Sequence, residues 1–379
     1  MTSKRLLILG AAAIVAIVAG VWLAGREGSS GVAAGNDALY PGLKEQLNAI
    51  SAVHIYKSGD ARVVELVRKD AAWTVSDRNN YPADDSKVRK LLIAIADAKV
   101  REEKTSDPQQ YAKLGVEDTK GSGATSMRIE LVGAPKPVDL IVGKNAGGAN
   151  SNYVRRAGEP QSWLIGTSID TSATPDAWLR KDIIDVSADR MQSATVNAHA
   201  ADKGAKPYTA AKSARADANF TVEGLPKGKS LSAPTAANSL AMTLTGLSLA
   251  DVKPASAFQS QPAAQATFKT FDGLVVELDG WVQDQKHYVA LRPSFDAAQA
   301  EHFKVATAPA EDKKKDEKSE GAAKQPTAAK APEPPKPAAP NVAEDAKSVA
   351  AKVGGWVYEI PDYKYEGIFK PVDQLVGSK

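Results

Sequence analysis

Few residues of this chain combine type and spacing in a way that could do chemistry. Gly143-Lys144-Asn145, with Gly147-Gly148 behind it, invites comparison with a phosphate-binding loop, whose backbone N–H groups cradle phosphate oxygens. That loop needs Ser or Thr after the Lys and a Gly five residues before the Gly-Lys pair, where this chain has Asn145 and Val138. A hairpin turn is the better reading. Asp182, Asp185 and Asp189 are spaced three and four apart, which would gather carboxylates on one helical face for a hard cation. The alternating acidic positions and turn glycine of a calcium loop are missing, so a solvated, charged connector is expected. His54, His199, His287 and His302 have no second His or carboxylate at ligand spacing on a predicted helix, and are expected to be surface or satisfied structural residues. Arg155-Arg156 beside Tyr153 could meet an anionic partner, and Trp163, Trp178, Trp281 and Trp356 could line a groove. Single Trp residues at strand and helix positions mostly fill cores, and strand Arg mostly faces water. No Gly-x-Ser-x-Gly elbow or dinucleotide fingerprint occurs. Cysteine is absent, which removes thiolate nucleophiles, disulfides and thiolate metal sites. No catalytic, cofactor-binding or metal residue is therefore nominated, and an enzyme is not expected.

The elements that would position any site begin at the N-terminus. Lys4 and Arg5 precede an uncharged stretch from Leu6 to Gly25, roughly 20 residues, long enough as a helix to cross a hydrocarbon core of about 30 Å. The basic pair on its N-terminal side places that end in the cytoplasm and the rest of the chain outside. Val32-Ala33-Ala34 offers the alternative of a cleaved signal peptide, against which stand the length of the stretch and Trp22 near its outer end. Residues 1–36 are read as membrane anchor and spacer.

The body repeats itself, with a first copy over 37–188 and a second over 189–379. Leu39, Leu43, Leu47 and Ile50 form a short amphipathic lead-in. Ser51-Ala52-Val53 and Ser193-Ala194-Thr195-Val196 open the copies, and each leads through two strand-like runs to an aromatic-Thr-Val triplet, Trp73-Thr74-Val75 or Phe220-Thr221-Val222. A covering helix follows in each. Asp84 caps the first, with Val88, Leu91, Leu92 and Ile95 on one face; Ser232 caps the second, with Leu240, Leu244 and Leu247. Runs of strands with hairpin-length loops then give an α+β fold, two tandem repeats of antiparallel sheet with a covering helix behind an N-terminal transmembrane helix. Between about 306 and 351 the second copy carries a Lys, Glu, Ala and Pro-rich insertion with few large apolar residues, expected to be a disordered, expanded hairpin loop. Its place matches the Gly158-Glu159-Pro160-Gln161 turn of the first copy.

Trp73-Thr74-Val75, Tyr81-Pro82-Ala83-Asp84, Val88 with Leu91-Leu92, Asp107-Pro108, Leu114-Gly115-Val116, Gly143 and Tyr153-Val154-Arg155 together resemble the domain-of-unknown-function family numbered 4340. The resemblance covers most of the first copy and, more weakly, the second. It implies a bacterial envelope protein with an N-terminal helix, often encoded beside ABC-type transporters of the gliding-motility kind, and transfers no catalytic residue; with the topology read from Lys4 and Arg5, the expected place is the bacterial inner membrane with the body in the periplasm.

With 48 basic and 45 acidic residues, the near-balanced charge gives no reason to expect nucleic acid. The expected function is that of a membrane-anchored extracytoplasmic scaffold or accessory subunit whose partner is an envelope transporter complex. A small-molecule or glycan binding module is the alternative.

Overall fold

Period-two alternation puts Val53 and Ile55, Val64 and Leu66, and Ile129 and Leu131 on one face of three neighbouring strands, and all six side chains are buried. The computed structural model describes residues 37–147, 150–202, 204–306 and 341–377. The chain divides into two units between Arg180 and Lys181, earlier than the expected 188/189 boundary. The division moves because Asp182–Ile184 is a strand that pairs with Leu247–Ser248 of the second unit and does not join the first.

The first unit contains β1 (Ala52–Lys57), β2 (Ala61–Lys69), β3 (Ala72–Val75), β4 (Tyr81–Pro82) and helix α1 (Asp85–Ala96). It continues through β5 (Val100–Glu103), the single turn α2 (Tyr111–Leu114), β6 (Met127–Val132), β7 (Val138–Asn145), β8 (Asn152–Arg156) and β9 (Ser162–Ile165). The nine strands form one sheet in the order β4-β3-β2-β1-β6-β7-β8-β9-β5, with every pair antiparallel. Helix α1 starts where the Asp84 side chain accepts hydrogen bonds from the N–H groups of Ser86 and Lys87. Its Val88, Leu91, Leu92 and Ile95 are buried at the helical period, while Ile93 on the other side is exposed. Turn α2 covers part of the opposite face of the sheet, where Tyr111, Val116 and Ile141 form a second, smaller core.

The second unit contains β10 (Asp182–Ile184), β11 (Met191–Asn197), β12 (Tyr208–Ala211), β13 (Thr221–Glu223), β14 (Leu247–Ser248), β15 (Asp251–Pro254) and β16 (Ala264–Thr270). Then come β17 (Leu274–Gln283), β18 (Lys286–Phe295), α3 (Ala297–Ala306), α4 (Val342–Val353), β19 (Trp356–Ile360) and α5 (Asp362–Ile368). Its large sheet runs β13-β12-β11-β16-β17-β18-β19-β15. Apart from β4, this is the strand order of the first sheet with each label raised by ten. β17 and β18 pair along their whole lengths across the two-residue turn Asp284-Gln285, both in the left-handed region at φ 50° and 62°.

A shared detail joins the two aromatic-Thr-Val triplets. The Trp73 N–H donates to the carboxylate of Asp85 at the start of α1, and the Phe220 N–H donates to the side-chain oxygen of Asn238. Both rings are buried.

Three expectations need correction. The second unit has no α-helix at Ser232; the Ser232 N–H and hydroxyl both bond the Leu375 carbonyl, and only a 3-10 turn, Asn238–Met242, forms. Ser, Thr and Asn compete for the backbone there, as when the Thr243 hydroxyl donates back to the Leu240 carbonyl. Leu240, Leu244 and Leu247 are nevertheless buried. The helix that packs on β17 and β18 is instead α4, at the C-terminal end of the expected disordered stretch, where Ala346 and Val353 are buried. The small size of its apolar residues hid that periodicity. The hairpin-turn reading of Gly143-Lys144-Asn145 also changes, because β7 runs through Asn145. The rest of the insertion, 307–340, and the expected membrane helix Leu6–Gly25 lie outside the described residues. Among the described residues no helix is long and apolar enough to cross a membrane.

Candidate functional site

Most of the side chains that spacing singled out are committed to the chain itself. β8 carries Arg155 into the interior, where its Nε donates to the Val116 carbonyl at 2.8 Å and its Nη1 to the Glu159 carbonyl at 3.0 Å. Its Nη2 donates to the Asp118 carboxylate at 2.7 Å, and its guanidinium lies over the Tyr111 ring. Arg156 donates twice to the Leu39 carbonyl and sits against the rings of Tyr40 and Trp163. Neither arginine is a free anion receptor. Lys144 donates to the carbonyls of Ala112 and Lys113 at the end of α2. A Cβ on Gly143 would come within 2.5 Å of the Leu114 carbonyl oxygen, so Gly143 permits close approach of two backbones and cradles no phosphate.

The aspartates part company. Asp182 pairs with Lys352, Asp185 accepts the Gly246 N–H, and Asp189 pairs with Arg215. They lie on a strand, a loop and a 3-10 turn, so no helix face gathers them. Among the described residues no group of three or more His, Asp or Glu side chains is placed to hold a metal ion. Trp178 is fully buried and donates to the Ser172 carbonyl; Trp281 donates to the Ser260 carbonyl inside a cluster with Phe258, Tyr288 and Val357. Trp163 is also buried, and Trp356 sits half-buried in β19. The three buried rings fill cores.

One constellation escaped the sequence because its members are cross-strand neighbours. On the face of the first sheet away from α1, His54 of β1 stands between Glu65 of β2 and Glu130 of β6, with ring nitrogens 3.4 and 3.0 Å from the two carboxylates. The Tyr56 hydroxyl donates to Glu130 at 2.9 Å, and Arg128 stacks on Tyr56 while pairing with Asp60 and Asp139. Burial raises the Asp139 carboxyl above the usual carboxylate range despite Arg128. Glu130 is held below that range, because the hydrogen bonds and charge of His54, Tyr56 and Arg128 outweigh the upward effect of burial. The array is a flat, cross-linked patch of sheet. At the corresponding place in the second unit, Thr195 bonds Thr209 and no such array forms. Of the other histidines, His287 faces Asp362 and stacks on Tyr365, His302 packs on Phe303, and His199 is exposed.

Concave places among the described residues include a shallow one of about 640 Å³ beside Lys87, Lys90, Leu91, Ile169 and Asp170, and two others matter here. In the first unit an open groove of about 440 Å³ runs beside α1, lined by Trp73, Arg68, Arg89, Leu92 and Ile93. In the second unit a cavity of about 460 Å³ lies beyond the β16–β17 turn, which supplies Phe271 and Asp272; Phe295 ends β18, and α3 adds Ala300, Phe303 and Lys304. Phe271 and Phe303 meet edge to face with centroids 4.9 Å apart, and the Arg215 guanidinium lies 5.3 Å from the Phe271 ring centre. Arg190 grips Asp272 with two hydrogen bonds of 2.8 and 3.2 Å, and the Thr270 hydroxyl donates to the same carboxylate. Burial pushes the Asp272 carboxyl up, but these partners outweigh it and hold the group below the usual range. Scattered phenylalanines gave no pattern to find this cavity by; it exists only once turn, strand end and helix meet.

No curated protein and no solved structure matches the chain. One family model does, over residues 73–269, more than half of the 379. The match begins at Trp73 of β3, runs through α1 and the rest of the first sheet, and ends in β16 at the middle of the second. It therefore takes in elements of both repeated sheets, and on that extent the chain belongs to the family described as Domain of unknown function (DUF4340).

Proposed function

We propose that this protein is a membrane-anchored, extracytoplasmic accessory subunit that works by presenting binding surface to an envelope assembly. The observation that carries the reading is the internal commitment of Arg155, Arg156 and Lys144, which makes them braces of the fold. The basic pair and apolar stretch at residues 4–25 support the anchor, and an ABC-type transporter is the partner that family resemblance implies. An anchor raises the local concentration of a weakly binding body beside its membrane partner, so surface contacts of modest affinity suffice.

The test has two arms. A reporter active only outside the cytoplasm, fused after Lys379, is expected to be active, and in-cell cross-linking from the body is expected to capture integral transporter subunits. Cytoplasmic reporter activity refutes the topology. Turnover of a generic ester, phosphate or glycoside by the purified chain, abolished by a single Ser or carboxylate substitution, refutes the non-catalytic reading.

A further inference from the structure

We propose that the open groove beside α1 in the first unit is a docking site for a short acidic segment of a partner protein, whose carboxylate is held by Arg68 and Arg89 while a neighbouring apolar side chain covers Ile93. This rests on the accessory-subunit reading for the occupant being a protein, and names the surface and the chemistry by which that protein is recognised.

The groove, about 440 Å³, lies between α1 and the turn that joins β2 to β3, and each side supplies one arginine. Arg89 is exposed on α1 and, among the described residues, makes no hydrogen bond or ion pair. Arg68 spends one donor on the Asn48 carbonyl at 3.0 Å, which steadies the guanidinium and leaves most of its fork for a ligand. Asp85, the acidic residue of the lining, accepts the Trp73 N–H, so two cations face one carboxylate that already has a partner. Ile93, one turn beyond Arg89, is 42% exposed, although α1 already buries Val88, Leu91, Leu92 and Ile95 against the sheet. Covering it removes apolar surface from water, and the free cation one turn away sets the charge of what lies beside it. A planar guanidinium suits the two oxygens of a carboxylate. The second unit shows the same corner closed on itself. Lys212, which matches Arg68 in register, rests 5.0 Å from the centre of the Phe220 ring, and a 3-10 turn stands in place of α1. The free cation and the exposed Ile93 therefore belong to the first unit alone and are not required by the repeated fold. An open wall on which cationic and apolar groups alternate fits a chain segment better than an enclosed small molecule.

The probe is a phage-displayed library of random twelve-residue peptides, panned on the full chain in mild non-ionic detergent and counter-selected on Ile93→Asn, which keeps binders of this face without selecting their charge. Retained peptides are expected to carry Asp or Glu beside Leu, Ile or Phe. The strongest, made with a rhodamine label and followed by anisotropy, is expected to bind Arg89→Gln about tenfold more weakly, the scale of one charge-assisted contact, and to weaken as salt rises. Arg89 and Ile93 are exposed helical positions, and unchanged amide exchange of α1 verifies that their variants fold; Arg68→Gln is a second test of the charge. No retained peptide, no acidic enrichment, or equal affinity for the parent chain and Arg89→Gln overturns the proposal. Binding that emerges only after residues 27–36 are deleted also overturns it, by assigning the groove to the chain's own spacer. A photo-cross-linking residue at position 93 in cells separates this proposal from the wider reading. Attachment to an acidic segment of a membrane subunit supports both, attachment to an acidic segment of a soluble protein supports the groove and refutes the membrane assembly, and attachment to a segment without acidic residues overturns the groove.

Discussion

Replacing Arg155 by Ala tests whether the side chain acts as a brace. Its side chain is 3% exposed and makes three charge-assisted hydrogen bonds, two of them to backbone carbonyls that no water replaces easily. Breaking such a buried set is expected to cost about 3–5 kcal/mol. The Asp118 side chain is 61% exposed, so Asp118→Ala removes a mostly solvated partner and is expected to cost less than about 1 kcal/mol. Arg155→Lys falls between, because an ammonium cannot reach Val116, Glu159 and Asp118 together. Two units make a single melting transition a poor readout, so amide hydrogen exchange of the full chain is the assay. In the Ala variant, slow amides of β7 and β8 are expected to exchange roughly a hundred to several thousand times faster, with second-unit amides unchanged. If Asp118→Ala matches Arg155→Ala, the ion pair and not the backbone clamp holds this region, and the reasoning fails.

Trp73→Ala and Phe220→Ala are each expected to cost about 3–5 kcal/mol, confined to the unit that contains the ring; protection lost in both units from either change refutes the assignment. Replacing 309–340 by a Gly-Ser turn is expected to leave amide protection of the second unit nearly unchanged, since loop closure depends weakly on length. Extending that replacement through Ala346 removes part of α4 and is expected to lower second-unit protection; equal protection would show that α4 contributes nothing. Acid sensitivity follows from Asp272 and Asp279, both held below the usual carboxylate range where hydrogen bonds to Arg190 and Arg292 outweigh burial. A depressed folded-state value gives stability that is present above the unfolded carboxylate range, near pH 4, and is lost as pH falls through the folded value. Asp272→Asn is therefore expected to flatten the acid limb of second-unit stability; an unchanged limb contradicts it.

Elements set by local pattern were legible in the sequence. Alternation in β1, β2 and β6, the Asp84 cap with its spaced apolar residues, and the paired aromatic-Thr-Val triplets all follow from periods of 2 and 3.6. What stayed hidden depends on partners far along the chain. Glu130 is 76 residues from His54, and Arg155 reads as a surface strand arginine until the Val116 and Glu159 carbonyls close around it. The missing helix after Ser232 shows propensity overriding an apolar pattern, since Leu240 buries itself from a 3-10 turn and Leu244 from the turn residues just beyond it. In α4 the reverse held, with a Lys, Glu and Ala composition masking a packed face.

The β17–β18 hairpin sets a folding order. Two ten-residue strands joined by two residues can zip within microseconds, since almost no loop must be closed. The edge pair of β15 with β19 must wait, because it joins Asp251–Pro254 to Trp356–Ile360 across the whole of that hairpin and the insertion behind it. Each residue added between β18 and β19 lengthens that search and leaves the finished sheet nearly as stable. The insertion is thus a kinetic burden more than a thermodynamic one, and the β19–β15 edge pair is the last part of the sheet to be protected as the chain folds.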